Sequence, residues 1–207
     1  MRLRRWILAL ALTAGCSIGA AVAGEPERIA PGQVLRGQFV QERELQGFSA
    51  PLKTTGDFVL APGEGLIWQA REPFAVTTVM TANGVSQRNG DVQMLDLPAS
   101  KAPFLAQLYD ILGGALAGNP QALERSFEIK RSDGPDGWHL ALTPKAEGAG
   151  SAMPVKAIEI TGRRFVDQVV VQKDGGDRDR LTFTGQSLDR GPLDAAEAEL
   201  LTRVGQQ

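Results

Sequence analysis

Few side chains in this sequence are suited to catalysis or to metal binding. His139 is its only histidine and Cys16 its only cysteine. A Ser-His-Asp hydrolase would need His139, yet that residue falls beside Trp138 in a predicted strand, and no Gly-x-Ser-x-Gly motif occurs beyond the amino-terminal segment. Zinc and copper sites combine several His and Cys ligands. These counts argue against an enzyme, a resident metal and any other cofactor.

The acidic and glycine-rich segments also lack the spacing that ligand binding requires. Asp174, Asp177 and Asp179 do not follow the pattern of an EF-hand loop, and Gly175 and Gly176 between them favour a turn. We therefore predict a solvated hairpin tip there. No glycine-rich segment has a phosphate-binding pattern.

Large apolar residues are the more informative feature. The stretch Asp57–Trp68, "DFVLAPGEGLIW", places two apolar runs on either side of a Pro-Gly turn. Trp68 and Trp138 allow two interpretations. They are either ordinary core aromatics or side chains that line or gate an apolar binding site.

The amino terminus has the pattern of a secretory signal peptide. Three arginines precede an apolar run, and Ala21-Val22-Ala23 forms an A-x-A cleavage site. We predict a signal peptide over residues 1–23 and a single mature domain over residues 24–207. The segment Leu12–Cys16 also resembles a lipobox, which leaves open a lipid anchor on Cys16.

The charge of the chain excludes one class of partner. It has 22 Lys and Arg against 24 Asp and Glu, and three of the arginines belong to the signal peptide. The resulting acidic charge of the mature chain argues against nucleic acid as a partner. We expect a monomer that is either soluble or held only by an amino-terminal lipid.

Short β-rich runs separated by turn residues dominate both halves of the chain. The first group extends from Val34 to Met80, and Asn83-Gly84 and Asn89-Gly90 add hairpin turns. The second group begins at Phe127 and ends near Gln186. About nine or ten strands are predicted, joined by short connections that favour antiparallel pairing.

One helical excursion separates the two groups. From Pro98 to Leu116 the apolar residues follow a helical period, and Asn119-Pro120 is typical of the start of a second short helix. A short carboxy-terminal helix with Leu193, Leu200, Leu201 and Val204 is also predicted. The fold class is therefore mainly β (α+β), an antiparallel sheet curved toward an open barrel with helices packed over it.

Several short motifs, taken in order, resemble the periplasmic lipoprotein carrier LolA family. They are Gly37–Gln41 ("GQFVQ"), Gly56–Val59 ("GDFV"), Pro62 before Leu66–Trp68 ("LIW"), and Trp138–Lys145 ("WHLALTPK"). The likeness extends from about Val34 to Gln186. It implies a half-open antiparallel β-barrel of the LolA/LolB type, closed by a helical lid over an apolar cavity.

The resemblance also implies a function without bond-making. Members of that family receive the acyl chains of lipoproteins from an inner-membrane exporter and pass them to an outer-membrane acceptor. On this basis the chain is expected to be a periplasmic carrier of an acylated lipoprotein or another envelope lipid. Two alternatives stay open: a LolB-like acceptor anchored through Cys16, and a carrier of a polyene or glycolipid.

The implied cavity would be lined from both the sheet and the lid. The expected ligand-binding residues are Phe39, Phe58, Leu66, Trp68, Phe104, Leu108, Leu112, Leu140, Ile158, Ile160, Val169, Leu181 and Phe183.

One position departs from the family pattern. Members carry an arginine directly before the proline that corresponds to Pro62, at the rim of the barrel, where the arginine bonds to the closed lid. Ala61 occupies the position of that arginine here. Arg71 and Arg43 are the candidate substitutes.

Overall fold

The computed structural model describes residues 25–101, 103–145 and 155–204, without the side chains of residues 103–108 and 110. The predicted signal peptide and Cys16 lie outside the described residues. The elements are β1 (Val34–Glu44), β2 (Leu52–Ala61), β3 (Gly65–Glu72), β4 (Val76–Thr81), β5 (Gly84–Asn89), β6 (Val92–Pro98), α1 (Pro103–Leu116), α2 (Pro120–Glu124), β7 (Phe127–Gly134), β8 (Gly137–Pro144), β9 (Val155–Gly162), β10 (Val166–Lys173), β11 (Arg178–Asp189) and α3 (Ala195–Thr202).

All eleven strands form one antiparallel sheet in the order β6-β5-β4-β3-β2-β1-β11-β10-β9-β8-β7. The first and last strands of the chain pair at its centre, and β6 and β7 are its two edges. The sheet is therefore open, which confirms the predicted fold class. The sequence indicated nine or ten strands because the edge strand β6 has no clear alternation: Val92 and Met94 are both exposed.

Gly37 and Gly56, the glycines of the motifs GQFVQ and GDFV, explain how the centre of the sheet is packed. In the β1–β2 register Gly37 lies opposite Phe58, and Phe39 lies opposite Gly56. A Cβ atom on Gly37 would come within 2.7 Å of the Phe58 ring, and one on Gly56 within 2.9 Å of the Phe39 ring. Each ring thus fills the space that a side chain would occupy on the facing strand.

These rings form an aromatic cluster with Trp68 and Phe183. Phe39 stacks on Trp68 with the ring centroids 3.8 Å apart, and Phe58 meets Phe183 edge-on at 5.4 Å. Phe39, Phe58 and Phe183 are buried and belong to the main hydrophobic core. The core covers one face of the sheet, which we call the inner face, and α1 packs on it.

The segment before β1 fastens the end of α1 to the sheet. The Ile29 backbone N–H donates to the Ala117 carbonyl at 2.9 Å, and the Glu27 backbone N–H donates to the Arg164 carbonyl at 2.7 Å. The Arg164 side chain also donates to the Glu27 carboxylate. This hydrogen bond holds the pKa of Glu27 below its usual value of 4.5.

The lowered pKa of Glu27 predicts a small acid-sensitive contribution to stability. A carboxylate with a depressed folded pKa stabilises the protein above its unfolded pKa, and that stabilisation is lost as the pH falls through the folded value. Glu27→Gln should therefore lower the urea midpoint slightly at neutral pH, and by less at an acidic pH below the usual pKa of the group. A constant difference at both pH values would contradict this assignment.

The carboxy-terminal helix α3 covers the opposite, outer face. Leu201 and Val204 form a second cluster with Ile67 and Val79. Asp194 and Glu197 form a capping box at the start of the helix. Among the described residues, no helix is both long enough and apolar enough to span a membrane.

An ion pair holds α3 on β1. Arg36 donates to both Glu197 carboxylate oxygens, at 3.0 and 2.6 Å, and to Asp189 at 2.6 Å. The bond to Glu197 raises the pKa of Arg36 above its usual value. Bidentate pairs of this kind are among the stronger charge-assisted interactions.

Glu197→Gln should lower the free energy of unfolding by about 1–2 kcal/mol in urea denaturation, because the amide cannot reproduce the charged pair. Glu199→Gln on the same helix is the matched control. Glu199 is exposed and, within the described residues, its ion pair is with Arg203 one turn away, so about 0.5 kcal/mol or less is expected. Equal effects of the two substitutions would show that the Arg36 contact does not hold the helix.

Candidate functional site

A cavity of about 300 Å³ lies between α1 and the inner face of the sheet. From α1 it is lined by Ile111, Leu112, Ala115 and Leu116. From β8 to β11 it is lined by Leu142, Val155, Ile158, Ile160, Val169, Val171, Leu181 and Phe183. Among the described residues, its polar lining comes from Gln41, Lys173 and Asp179.

Strand alternation explains why this surface is apolar. Side chains two residues apart on a strand share a face, so Ile158 and Ile160 face the cavity together, as do Val169 and Val171 on the neighbouring strand. Val169 pairs with both Leu181 and Ile160, so apolar side chains stand side by side across three strands.

Six of the residues expected from the sequence line this cavity: Leu112, Ile158, Ile160, Val169, Leu181 and Phe183. Phe39, Phe58, Leu66 and Trp68 lie in or against the packed core on β1–β3 instead. Leu140 is buried beside Trp138, next to a smaller pocket near α2. The side chains of Phe104 and Leu108 lie outside the described residues.

Sequence reasoning missed the polar end of the cavity and part of its wall. Leu142 and Val171 follow Leu140 and Val169 at strand spacing, so alternation alone would have found them. Ile111 and Ala115 fall beside the apolar stripe of the helix. Lys173 and Asp179 carried no signal that distinguished them from surface charges.

Asp179 corrects the prediction of a solvated hairpin tip. Asp174 is exposed, but Asp179 is buried at 9% exposure. The reason is that Asp179 belongs to β11 and shares the inner face with Leu181 and Phe183, which come after it in the strand. Arg43 and Lys173 form ion pairs with its carboxylate there.

The position of Ala61 also differs from the expectation that this residue lies at a rim that contacts the closed lid. Ala61 is only 1% exposed and pairs with Gly65, and alternation places it with Val59 on the outer face. The next residues, Pro62 and Gly63, border a pocket shared with α1 and Arg125. An arginine at position 61 would therefore meet the α3 side of the sheet.

Neither candidate substitute for the missing arginine reaches this rim. Arg71 pairs with Asp57, and alternation with Ile67 places Arg71 on the outer face. Arg43 lies at the opposite end of β1 and bonds to Asp179.

The remaining polar features of the described residues are hydrogen bonds on β8 and a surface groove. His139 is half-buried with Nδ1 3.4 Å from the Ser132 hydroxyl, and the Trp138 indole N–H donates to the Arg163 carbonyl at 2.8 Å. In the described ranges no three His, Cys, Asp or Glu side chains are grouped to hold a metal ion. A larger hollow of about 720 Å³ beside the β7–β8 turn is an open surface groove lined by both polar and apolar groups.

Comparison with solved structures finds similar proteins. The chain is similar to a LolA superfamily protein from Nitrosomonas europaea, with a TM-score of 0.42 and 9% identity over 82% of this chain and 90% of that chain. It is also similar to the MucA/MucB complex structure from Pseudomonas aeruginosa, with a TM-score of 0.45 and 14% identity over 82% of this chain and 55% of that chain. A sequence comparison with individual curated proteins finds no match.

A sequence profile of a protein family shows the family to which the chain belongs. The profile described as "Outer membrane lipoprotein carrier protein LolA-like" matches residues 21–204. Because this match covers nearly the whole chain, the chain belongs to the LolA-like outer membrane lipoprotein carrier family.

Proposed function

We propose that this protein is a periplasmic carrier that binds an acyl chain in the cavity under α1 and shuttles an acylated lipoprotein or related envelope lipid toward the outer membrane. The observation that carries the proposal is the cavity itself, which has an almost wholly apolar wall in a chain of the LolA-like family. We propose a monomer that acts between an inner-membrane exporter and an outer-membrane acceptor. No bond-making step is required.

The dimensions of the cavity fit one apolar chain. A methylene group occupies about as much space as a water molecule, about 30 Å³, so 300 Å³ accommodates roughly ten of them. At about 0.8 kcal/mol for each buried methylene, such a chain gains on the order of 8 kcal/mol.

Release is as important as binding for a carrier. A ligand held this strongly leaves only if the bound state is in equilibrium with an open one. The helix α1 supplies one whole wall of the cavity, so movement of α1 away from the sheet is the proposed route for entry and exit.

Titration with a fluorescent acyl probe tests this function. The purified protein should bind the probe with one site per chain, and long-chain fatty acid should displace it. Failure of any acyl probe to bind the folded protein would contradict the carrier function.

The lipobox-like segment Leu12–Cys16 favours a second candidate, an acceptor module anchored to a membrane through Cys16. The intact mass of the mature protein distinguishes the two. A chain that begins at Gly24 is a free carrier, whereas a chain that begins at a lipid-modified Cys16 is an anchored acceptor.

A further inference from the structure

One end of the apolar cavity is charged. Along β1 the inner face changes from Phe39 through Gln41 to Arg43, and along β10 it changes from Val169 through Val171 to Lys173. Gln41 and Lys173 line the cavity at this end. Because Lys173 retains 30% of its side-chain exposure, the cavity meets solvent there.

Two cations share a single carboxylate at this end. The Arg43 Nε atom donates to Asp179 Oδ1 at 2.9 Å, and the Lys173 Nζ atom forms an ion pair with Asp179 Oδ2, also at 2.9 Å. We call Arg43, Lys173 and Asp179 the charged triad. Its net charge is +1, and Asp179 is the most buried of the three.

The triad has hydrogen-bonding capacity left over. Asp179 takes only the Nε of Arg43, and within the described part of the chain the two terminal Nη groups of Arg43 have no other partner. The Lys173 ammonium has three donors and, among the described residues, pairs with Asp179. Guanidinium and ammonium groups with free donors are the usual partners of carboxylate and phosphate groups.

We propose that the charged triad binds the anionic headgroup of an amphiphile whose single acyl chain fills the cavity. This inference rests on the proposed function, since the chain-binding cavity must be used. A carboxylate or phosphate head beside Arg43 and Lys173 would neutralise the excess charge while its chain extends past Gln41 toward Leu181 and Ile160. Asp179 holds the two cations at the correct end of the cavity.

Competition between ligands with the same twelve-carbon chain tests the proposal. Laurate, dodecyl phosphate and monolauroylglycerol are compared below micelle-forming concentrations, against a bound fluorescent acyl probe at low salt. We expect the two anions to bind about tenfold more tightly than the neutral ligand, and added salt to reduce that preference. A difference between laurate and dodecyl phosphate would support the proposal and identify the headgroup.

Substitutions separate a headgroup role from a structural one. Lys173→Gln should abolish the preference for anions without weakening monolauroylglycerol, and Lys173→Arg should retain it. Arg71→Gln removes an exposed cation on the outer face and should change nothing.

The outcomes also separate this proposal from the carrier function. Equal binding of all three ligands by the wild type would overturn the headgroup site and leave the carrier function standing. An equal loss for all three ligands in Lys173→Gln would also overturn it, because the triad would then be only structural. If none of the three ligands binds, both proposals fail.

Discussion

Leu112→Glu is expected to weaken binding of a fluorescent acyl probe about a hundredfold while the sheet stays folded. Leu112 belongs to α1 and lines the cavity, and it is only half-buried, so the helix tolerates the change. A carboxylate there must be stripped of water when an acyl chain enters, which costs several kcal/mol without a partner. Probe titration and circular dichroism of the same samples measure the two effects.

Leu200→Glu is the matched control for this substitution. Leu200 is also a half-buried helical leucine, but it packs against the second cluster on the outer face. It should lose stability and keep full probe binding. Ala115→Trp, which fills the cavity without adding charge, should reproduce the binding loss. Wild-type binding by folded Leu112→Glu and Ala115→Trp would mean that the ligand does not enter this cavity.

Gly56→Val is expected to have the largest effect on folding, at least about 3 kcal/mol in urea denaturation. A Cβ atom at this position would lie 1.9 Å from the Gln69 carbonyl oxygen and 2.9 Å from the Phe39 ring. The first contact is with backbone in the neighbouring strand, so no side-chain rotation relieves it. The β2–β3 pairing and the aromatic cluster must both shift.

Gly191→Val tests whether the effect is specific to that site. An added Cβ at Gly191 meets nothing within 4 Å, and the residue is not in the left-handed region. This control should change stability by about 0.5 kcal/mol or less. A similarly small loss in Gly56→Val would contradict the packing that we describe for the centre of the sheet.

Most of the fold could be predicted because its sequence motifs follow from how neighbouring strands must pack. "GQFV" and "GDFV" each combine a glycine with a phenylalanine two residues later, and in the antiparallel register each ring lies over the other strand's glycine. The helical stripe ending at Leu116 and the alternation in β8–β11 were equally clear. The missed edge strand β6 has exposed apolar residues, so burial left no pattern in its sequence.

The site was only partly predictable because strand alternation identifies a face and not what covers it. Phe39, Leu66 and Ile160 all point to the inner face. The side chains on β1–β3 pack into the aromatic core, while those on β8–β11 leave space beneath α1. The gap between α1 and the sheet depends on how the helix and several strands pack together. The sequence of a single strand therefore does not predict it.

The charged triad illustrates the same limit for polar residues. Arg43 and Asp179 lie 136 positions apart, and in sequence each resembles the surface charges around it. Only the pairing of β1 with β11 brings them to one end of the cavity.

The identity of lipid that co-purifies with the protein tests the central claim most directly. The mature protein would be isolated without detergent from the envelope fraction of its own cells and analysed by native and lipid mass spectrometry, beside Leu112→Glu and Leu200→Glu. We predict a bound acyl-chain lipid in the wild type and in Leu200→Glu, and its absence in Leu112→Glu. Lipid-free wild-type protein that also fails to bind acyl probes would contradict the account.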